Sequence, residues 1–166
     1  MNIFLIGMMG SGKSTVGELL ANKKGLNFVD IDLQVELKEK KSVNEVFEKR
    51  GEGIFRKIES SELIKCRNSV VSCGGGILLK TKNREFINKN GVTILLLASI
   101  DQLSNRLTNL KNRPLIQKDG ISDMLSKIWQ DRKKDYLNSS DIKIKTDDKR
   151  PMQIMEEIDK RLPRWK

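Results

Sequence analysis

The sequence contains no histidine among its 166 residues, and it has only two cysteines and three prolines. Without an imidazole group, the protein has no Ser-His-Asp triad, no histidine general base and no histidine-ligated metal. The two cysteines, Cys66 and Cys73, match neither a disulfide framework nor a C-x-x-C motif. We therefore expect two reduced thiols in the interior of a cytosolic protein.

Long hydrophobic runs are also absent. The apolar run at residues 2–6 is short and has no basic segment before it, so it does not look like a signal peptide. The run at residues 92–97 is far below the roughly 20 residues that a membrane helix needs. These absences predict a soluble, cytoplasmic protein without a membrane partner.

Length and composition predict a single domain that covers residues 1–166. The length is close to the prior of about 150 residues for one domain. Hydrophobic residues make up 37% of the chain, which is enough for a core and excludes intrinsic disorder. The chain has 32 Lys and Arg against 22 Asp and Glu, a formal net charge of +10. This excess favours anionic partners, such as nucleotides, phosphorylated metabolites, nucleic acid or acidic lipid, without choosing among them.

Short apolar runs alternate with longer charged stretches, which predicts an α/β fold with a parallel sheet. We predict strands at residues 2–6, 26–29, 69–72, 92–97 and 142–145, and helices at residues 13–24, 43–49, 55–65, 82–87, 100–110, 121–137 and 152–162. The runs at 3–6 and 94–97 lack polar alternation, which is typical of central strands covered on both faces. The polar segment 111–120 predicts either a lid or binding loop or a plain solvated connection.

A phosphate-binding motif follows the first predicted strand. Residues Gly7 to Ser14 satisfy the pattern G-x-x-x-x-G-K-[ST], and a predicted helix comes directly after it. Its glycines let backbone N–H groups turn towards phosphate oxygens, and the helix N-terminus adds its positive dipole end. We expect Lys13 to bridge the β- and γ-phosphates and Ser14 to offer its hydroxyl to Mg²⁺. The predicted nucleotide-binding residues are Gly10, Ser11, Gly12, Lys13, Ser14 and Thr15.

Two aspartates, Asp30 and Asp32, end the second predicted strand. Strand alternation sends both carboxylates to the same side, at the carboxyl end of the sheet where open α/β sheets bind ligands. A helix N-cap at Asp32 is the structural alternative. Because a phosphate-binding loop precedes them, we predict a functional role for both.

Two later segments carry candidate binding residues. Arg56 and Glu59 are three residues apart on a predicted helix, where an ion pair on a solvated face is the simplest interpretation. Gly74, Gly75 and Gly76 follow the third predicted strand, where they would expose backbone N–H groups and leave room for a ligand. We predict a binding loop there, because a merely tight turn needs fewer glycines.

Three arginines complete the candidate set: Arg106, Arg113 and Arg132. In a chain this basic, each of them alone is compatible with plain surface charge. Phosphoryl transfer, however, needs cations that neutralise charge on the transferred group. We predict Arg113, in the segment 111–120, for that role.

In this order and spacing the motifs resemble the shikimate kinases, P-loop enzymes of aromatic amino-acid biosynthesis that phosphorylate the 3-hydroxyl of shikimate with ATP. The resemblance runs from Ile3 to about Asp141. It rests on Gly7 to Ser14, Asp30-x-Asp32, Gly51-Glu52-x-x-Phe55-Arg56-x-x-Glu59, Gly74-Gly75-Gly76, Arg113-Pro114-Leu115 and Arg132-x-x-x-Tyr136. It implies a nucleoside-monophosphate-kinase-like fold of three α/β/α layers. The five-stranded parallel sheet would have the order 2-3-1-4-5, with a lid at about 111–120, a substrate-binding region at about 32–60, and a monomeric state.

The resemblance also implies residue roles. The catalytic residues would be Lys13, Asp32 and Arg113, and Arg113 would also contact the phosphates. Shikimate would be bound by Asp32, Arg56, Arg132 and the glycines 74–76. Arg106 would pack along the adenine, and Ser14 and Asp30 would bind Mg²⁺. The sequence departs from the family pattern after Arg132 and at 138–140, away from any assigned ligand. The fourth predicted strand has Ala98 and Ser99 after it instead of an aspartate, so the metal role rests more heavily on Ser14 and Asp30.

Two other functions remain open at this point. One is another small-molecule P-loop kinase, acting on gluconate or a nucleoside monophosphate, that shares only the phosphate-binding motif. The other is a basic nucleic-acid-binding NTPase, suggested by the net charge of +10. The aromatic content of 5% and the lack of aromatic residues interleaved with basic ones argue against the second.

Overall fold

A computed structural model of the chain describes residues 1–108 and 118–163. Five strands form one sheet in the order β2-β3-β1-β4-β5, and every pair of neighbours is parallel. The strands are β1 (Asn2–Ile6), β2 (Asn27–Asp30), β3 (Ser69–Ser72), β4 (Gly91–Leu97) and β5 (Ile142–Lys145). The predicted strand order is confirmed, and β1 and β4 are interior strands, as the unbroken apolar runs predicted.

Helices cover both faces of the sheet. They are α1 (Lys13–Lys24), α2 (Ile31–Glu39), α3 (Val43–Leu63), α4 (Thr81–Asn90), α5 (Ile100–Thr108), α6 (Lys118–Asn138) and α7 (Pro151–Arg161), with a 3₁₀ turn at Ile77–Leu79. Alternate residues of β1 enter two separate cores, Ile3 and Leu5 on the side of α1 and α7, and Phe4 and Ile6 on the opposite side. This is the predicted three-layer architecture. No helix within the described part of the chain combines the length and hydrophobicity of a transmembrane span.

Helix α2 was not predicted from the sequence. Asp30 is the last residue of β2 and also the N-cap of α2, because its Oδ1 accepts hydrogen bonds from the N–H groups of Asp32, at 3.0 Å, and Leu33, at 3.3 Å. Asp32 therefore lies in the first turn of a helix, and the expected strand alternation between the two aspartates is wrong. The residue that caps the N-terminus of this helix is Asp30, and not Asp32 as the alternative interpretation had it.

Helix α3 consists of two arms. A capping box starts it, in which Ser42 Oγ accepts from Glu45 N at 3.3 Å and Glu45 Oε2 accepts from Ser42 N at 2.9 Å. The helix is kinked at Gly51, whose φ of +79° favours glycine. The arms correspond to the two helices predicted at 43–49 and 55–65. A small core formed by Val35, Val46, Phe55 and Ile58 joins them to α2.

Two further expectations concern the thiols and the segment 111–120. Cys66 and Cys73 are free and buried, as predicted, and burial raises the pKa of the Cys66 thiol to about 11. Helix α6 begins at Lys118, so residues 118–120 are helical and the predicted loop is too long at that end. The rest of that segment, residues 111–117, lies outside the described residues and includes Arg113.

Candidate active site

The phosphate-binding loop joins β1 to α1, and its shape depends on glycine at two positions. Gly7 has a φ of +144°, and a Cβ there would lie 2.6 Å from the carbonyl oxygen of Leu96. Gly12, with a φ of +92°, precedes α1 and gives its first turn no side-chain cap. The first N–H groups of α1 therefore stay available to an anion at the positive end of the helix dipole.

Lys13 folds back over this loop. Its Nζ donates hydrogen bonds to the carbonyl oxygens of Gly7, at 3.1 Å, and Met8, at 2.8 Å. Burial lowers the pKa of Lys13, and the carboxylates of Asp32 and Asp30 oppose that shift. The ammonium group is thus bound to the loop and is attracted by two carboxylates.

Ser14, Asp30 and Ser72 form an oxygen-lined corner beside the loop. Ser14 Oγ donates to Asp30 Oδ2 at 2.5 Å and lies 3.2 Å from Ser72 Oγ. Mg²⁺ prefers oxygen ligands and commonly takes only one or two of them from the protein, with phosphate and water oxygens completing the octahedron. The donors of this corner fit that preference. Ser72 was not predicted, and its place at the carboxyl end of β3 is the signal that could have revealed it.

The loop Gly74–Gly76 lies where the acidic and basic candidates meet. A Cβ on Gly74 would lie 2.7 Å from Asp32 Oδ1 and closer still to Glu59 Oε1. A Cβ on Gly76 would overlap the guanidinium group of Arg56. A larger residue at either position would displace these side chains, because they approach the backbone directly, which supports the predicted binding loop.

The middle glycine of the loop, Gly75, faces helix α6. A Cβ on Gly75 would lie 3.4 Å from Arg132 Nη1 and 3.6 Å from the Tyr136 hydroxyl, both ordinary van der Waals distances. The hydroxyl of Tyr136 donates to the carbonyl oxygen of Gly75 at 2.6 Å. The loop is therefore contacted by α2 and α3 on one side and by α6 on the other.

Arg56 and Glu59 form an ion pair that is largely buried, so the expected solvated helix face is wrong. Arg56 Nη1 donates to Glu59 Oε2 at 2.9 Å, and the side chains are 13% and 0% exposed, respectively. Arg56 also contacts Glu52, and its guanidinium lies over the ring of Phe55, 5.1 Å from the centroid. Burial raises the pKa of Glu59, and the positive charge of Arg56 opposes the rise.

Asp32 lies between the phosphate-binding loop and the basic end of the cleft. Burial raises the pKa of its carboxyl group, as does the negative charge of Asp30, whereas Lys13 and Arg56 lower it. A cleft of about 800 Å³ opens here, and its lining includes Asp32, Arg56, Glu59, Gly74, Gly75, Gly76 and Arg132. The cleft has the size of a small-molecule site and carries both carboxylate and guanidinium groups on its wall.

Arg106 lies on the other side of the phosphate-binding loop. Its guanidinium donates to the carbonyl oxygens of Gly10 and Thr146, both at 3.1 Å. It therefore ties the loop to the segment that follows β5. The structure thus brings together the predicted residues Lys13, Ser14, Asp30, Asp32, Arg56, Gly74, Gly75, Gly76 and Arg132, with Arg106 behind the loop.

The family model, the curated relatives and the most similar solved structures found include shikimate kinases. A family model described as "Shikimate kinase" matches residues 9–163. A shikimate kinase from Sulfurihydrogenibium sp. (strain YO3AOP1) is 39% identical over 160 residues, which cover 95% of this chain and 95% of that protein. The solved structure of shikimate kinase from Acinetobacter baumannii in complex with shikimate superposes with a TM-score of 0.86 at 32% identity, over 95% of this chain and 89% of that one. The structure of shikimate kinase from Bacteroides thetaiotaomicron gives a TM-score of 0.88 at 29% identity, over 96% and 97%.

Proposed function

The chain belongs to the shikimate kinase family, and from this premise we propose that it transfers the γ-phosphoryl group of ATP to the 3-hydroxyl of shikimate, giving shikimate 3-phosphate and ADP. One observation carries the proposal most directly. One cleft is lined by the carboxylate of Asp32 and by the guanidinium groups of Arg56 and Arg132. Lys13 of the phosphate-binding loop and Arg56 both act to lower the pKa of Asp32, so this carboxylate lies within electrostatic range of both. A donor phosphate at one end and an anionic polyol at the other would therefore meet at Asp32.

The nucleotide would bind at the loop between β1 and α1. Backbone N–H groups of the loop and of the first turn of α1 would hold its phosphates, with the residues Gly10, Ser11, Gly12, Lys13, Ser14 and Thr15. Lys13 would place its positive charge on the oxygens of the transferring group, where negative charge has to be neutralised. Arg106 would pack along the adenine while it ties the loop to Thr146, and Arg113 would reach the phosphates.

Mg²⁺ would be held by Ser14 and Asp30. Both are oxygen donors, and their side chains already contact each other at 2.5 Å. When bound, the cation neutralises phosphate charge, which is the usual contribution of a metal to phosphoryl transfer. The other carboxylate oxygen of Asp30, Oδ1, accepts a hydrogen bond from the N-terminus of α2, so the carboxylate has a fixed orientation.

The acceptor would bind across the glycine loop. Arg56 and Arg132 would pair with the carboxylate of shikimate, because a planar guanidinium matches a carboxylate in two hydrogen bonds. Asp32 would accept a hydrogen bond from the attacking hydroxyl, and its raised pKa brings it closer to that of a group able to take up the proton. The N–H groups of Gly75 and Gly76 would add backbone contacts.

In this proposal residues 1–166 form one kinase domain, which acts as a monomer in the cytoplasm on ATP and shikimate, without a nucleic-acid or membrane partner. The substrate-binding region would be about 32–60, which includes α2 and most of α3. The lid would lie at about 111–120, with its last three residues in α6.

Release of ADP by the purified protein tests this function. With ATP and Mg²⁺, we expect release that depends on shikimate and not on gluconate, nucleoside monophosphates or single-stranded DNA. Equal or faster turnover with gluconate or a nucleoside monophosphate would keep the phosphate site but contradict the acceptor site. Release stimulated by DNA, with a steep dependence on salt, would instead favour a nucleic-acid-dependent NTPase.

Arg132→Ala should chiefly weaken acceptor binding. Loss of a hydrogen bond to a charged group costs about 1.5–3 kcal/mol, so we expect the KM for shikimate to rise by about 10- to 150-fold while the KM for ATP changes little. Steady-state kinetics with each substrate varied in turn measures both. An unchanged shikimate KM would remove Arg132 from the acceptor site. Lys133→Ala, at an exposed neighbouring position of α6, is the matched control and should behave as the wild type.

Gly74→Ala tests how closely the glycine loop fits the side chains around it. The added Cβ would lie 2.7 Å from Asp32 Oδ1, so the carboxylate must move. A displacement of about 1 Å in a catalytic group costs on the order of 10²-fold in rate, and we expect a loss of that size in kcat. Gly53→Ala is the control, because a Cβ there meets nothing within 4 Å. It should keep full activity and gain about 0.4–1 kcal/mol of unfolding free energy. Equal activity of the two variants would contradict the fit.

A further inference from the structure

The loop Gly74–Gly76 has all three of its carbonyl groups engaged. Gly74 O accepts from Ile77 N at 3.0 Å, and Gly76 O accepts from Leu79 N at 3.1 Å, so these two belong to the turn itself. The carbonyl of Gly75 is different because its donor comes from another part of the chain. That donor is the hydroxyl of Tyr136, at 2.6 Å.

This hydrogen bond determines where the next N–H group points. In a trans peptide the C=O of Gly75 and the N–H of Gly76 lie in one plane and point in opposite directions, and all described peptide bonds are trans. When the carbonyl is held by Tyr136, the N–H of Gly76 faces away from α6. Gly76 lines the cleft and meets Arg56 on its other side. A run of glycines has little conformational preference of its own, so the hydrogen bond from Tyr136 adds to the bonds of the turn in holding this plane.

Tyr136 is itself firmly held. It is 1% exposed, belongs to the core on the α6 side of the sheet, and stacks on Trp129 with 6.1 Å between ring centroids. It lies one turn after Arg132 on α6, on the same helix face. Burial raises the pKa of Tyr136, opposed by the positive charge of Arg132, so the hydroxyl keeps its proton at neutral pH and remains a donor.

We propose that Tyr136 is a positioning residue: its hydroxyl fixes the plane of the Gly75–Gly76 peptide so that the N–H of Gly76 is presented to an oxygen of the acceptor. The proposal rests on the function proposed above. Tyr136 itself would not contact the acceptor. It acts through a peptide group that glycine alone would leave free to rotate.

Tyr136→Phe tests the proposal because it removes the hydroxyl and keeps the buried, stacked ring. We expect the KM for shikimate to rise about five- to tenfold, the effect of one hydrogen bond, with kcat and the KM for ATP within about twofold of the wild type. Ser69→Ala is the control. It removes another hydroxyl that donates to a carbonyl, that of Arg67 at 2.8 Å, at the opposite end of β3. Both variants should lose a similar amount of stability, and only Tyr136→Phe should change the shikimate KM. If both keep the wild-type KM, Tyr136 is merely structural and the proposal fails.

A second measurement needs no substitution at Tyr136. It is the only tyrosine of the chain, so biosynthetic 3-fluorotyrosine gives a protein with one ¹⁹F resonance. A hydrogen bond at the N–H end of a peptide strengthens the acceptor at its carbonyl end. We therefore expect the resonance to shift on addition of shikimate and to stay in place with ATP alone. A resonance that does not respond to shikimate, in a protein that turns shikimate over, would overturn the role of Tyr136. Lack of wild-type turnover would instead contradict the proposed function.

Discussion

Lys13→Met should lower kcat for shikimate phosphorylation by about three orders of magnitude, because removal of a preorganised group that stabilises transition-state charge costs about 10²- to 10³-fold or more. The loss should fall mainly on kcat, since the charge that Lys13 neutralises develops as the phosphoryl group moves. Methionine keeps the length and apolar stem of the side chain and removes only the ammonium group. Its two hydrogen bonds to the loop carbonyls are lost with it.

The fold should survive this substitution. Burial lowers the pKa of Lys13, so the folded protein holds a charge that its surroundings disfavour. Replacement by an apolar side chain should therefore leave the melting temperature within a few degrees of the wild type. Lys23→Met is the control, an exposed residue of the same helix. A folded Lys13→Met protein with a normal rate would exclude Lys13 from the chemistry.

Asp32→Asn should lower kcat by about 10²- to 10⁴-fold, the range for loss of a group that takes part in proton transfer. The KM for ATP should change much less, since Asp32 faces the acceptor end of the cleft. Asparagine keeps the shape of the side chain and loses its charge and its ability to take up a proton. The reverse pattern, a weakened ATP KM with a near-normal kcat, would indicate a role at the nucleotide or the metal.

The same variant should be more stable than the wild type at neutral pH. The pKa of Asp32 is raised in the folded state by burial and by Asp30, so the folded protein binds the proton more tightly than the unfolded chain does. The stability that this group contributes is then lost as the pH rises above about 4, the ordinary pKa of an aspartate. We expect Asp32→Asn to gain about 1 kcal/mol at pH 7, and the gain should disappear towards pH 4.

Chemical denaturation at several pH values measures this gain. Asp123→Asn, at an exposed position of α6, is the control and should differ little from the wild type at any pH. A gain of the same size for both variants would show that the ionised carboxylate of Asp32 does not destabilise the fold. Together with the kinetic result, the expected outcome means that the carboxylate of Asp32 lowers the free energy of unfolding and raises the rate of phosphoryl transfer.

The features that could be predicted from the sequence are local ones. The phosphate-binding motif, the triple glycine and the unbroken apolar strands each involve adjacent residues whose backbone requirements can be inferred from residue type. Helix α2 was missed because β2 and α2 share no connecting residue, since Asp30 ends one and caps the other. Its tetrapeptide Asp30-Ile31-Asp32-Leu33 alternates like a strand, and only the hydrogen bonds of Asp30 decide otherwise.

Long-range contacts could not be predicted in the same way. The spacing of Arg56 and Glu59 correctly gives an ion pair, but whether it is solvated depends on the glycine loop, which covers it from a distant part of the chain. The same holds for Tyr136, whose partner Gly75 is brought close only when α6 packs on the sheet. Burial at these positions follows from tertiary packing, and no local pattern encodes it.

The strand order also has a consequence for folding kinetics. The first strand of the chain is the middle strand of the sheet, with Ile3 paired to Val70 on one side and to Val92 on the other. Both pairings close long loops, and such non-local contacts form slowly. Gly7 packs against the carbonyl of Leu96, so the nucleotide site can take shape only after more than half of the chain has left the ribosome. A fluorescent nucleotide should therefore bind during refolding as a late event, after most helical circular dichroism has been recovered.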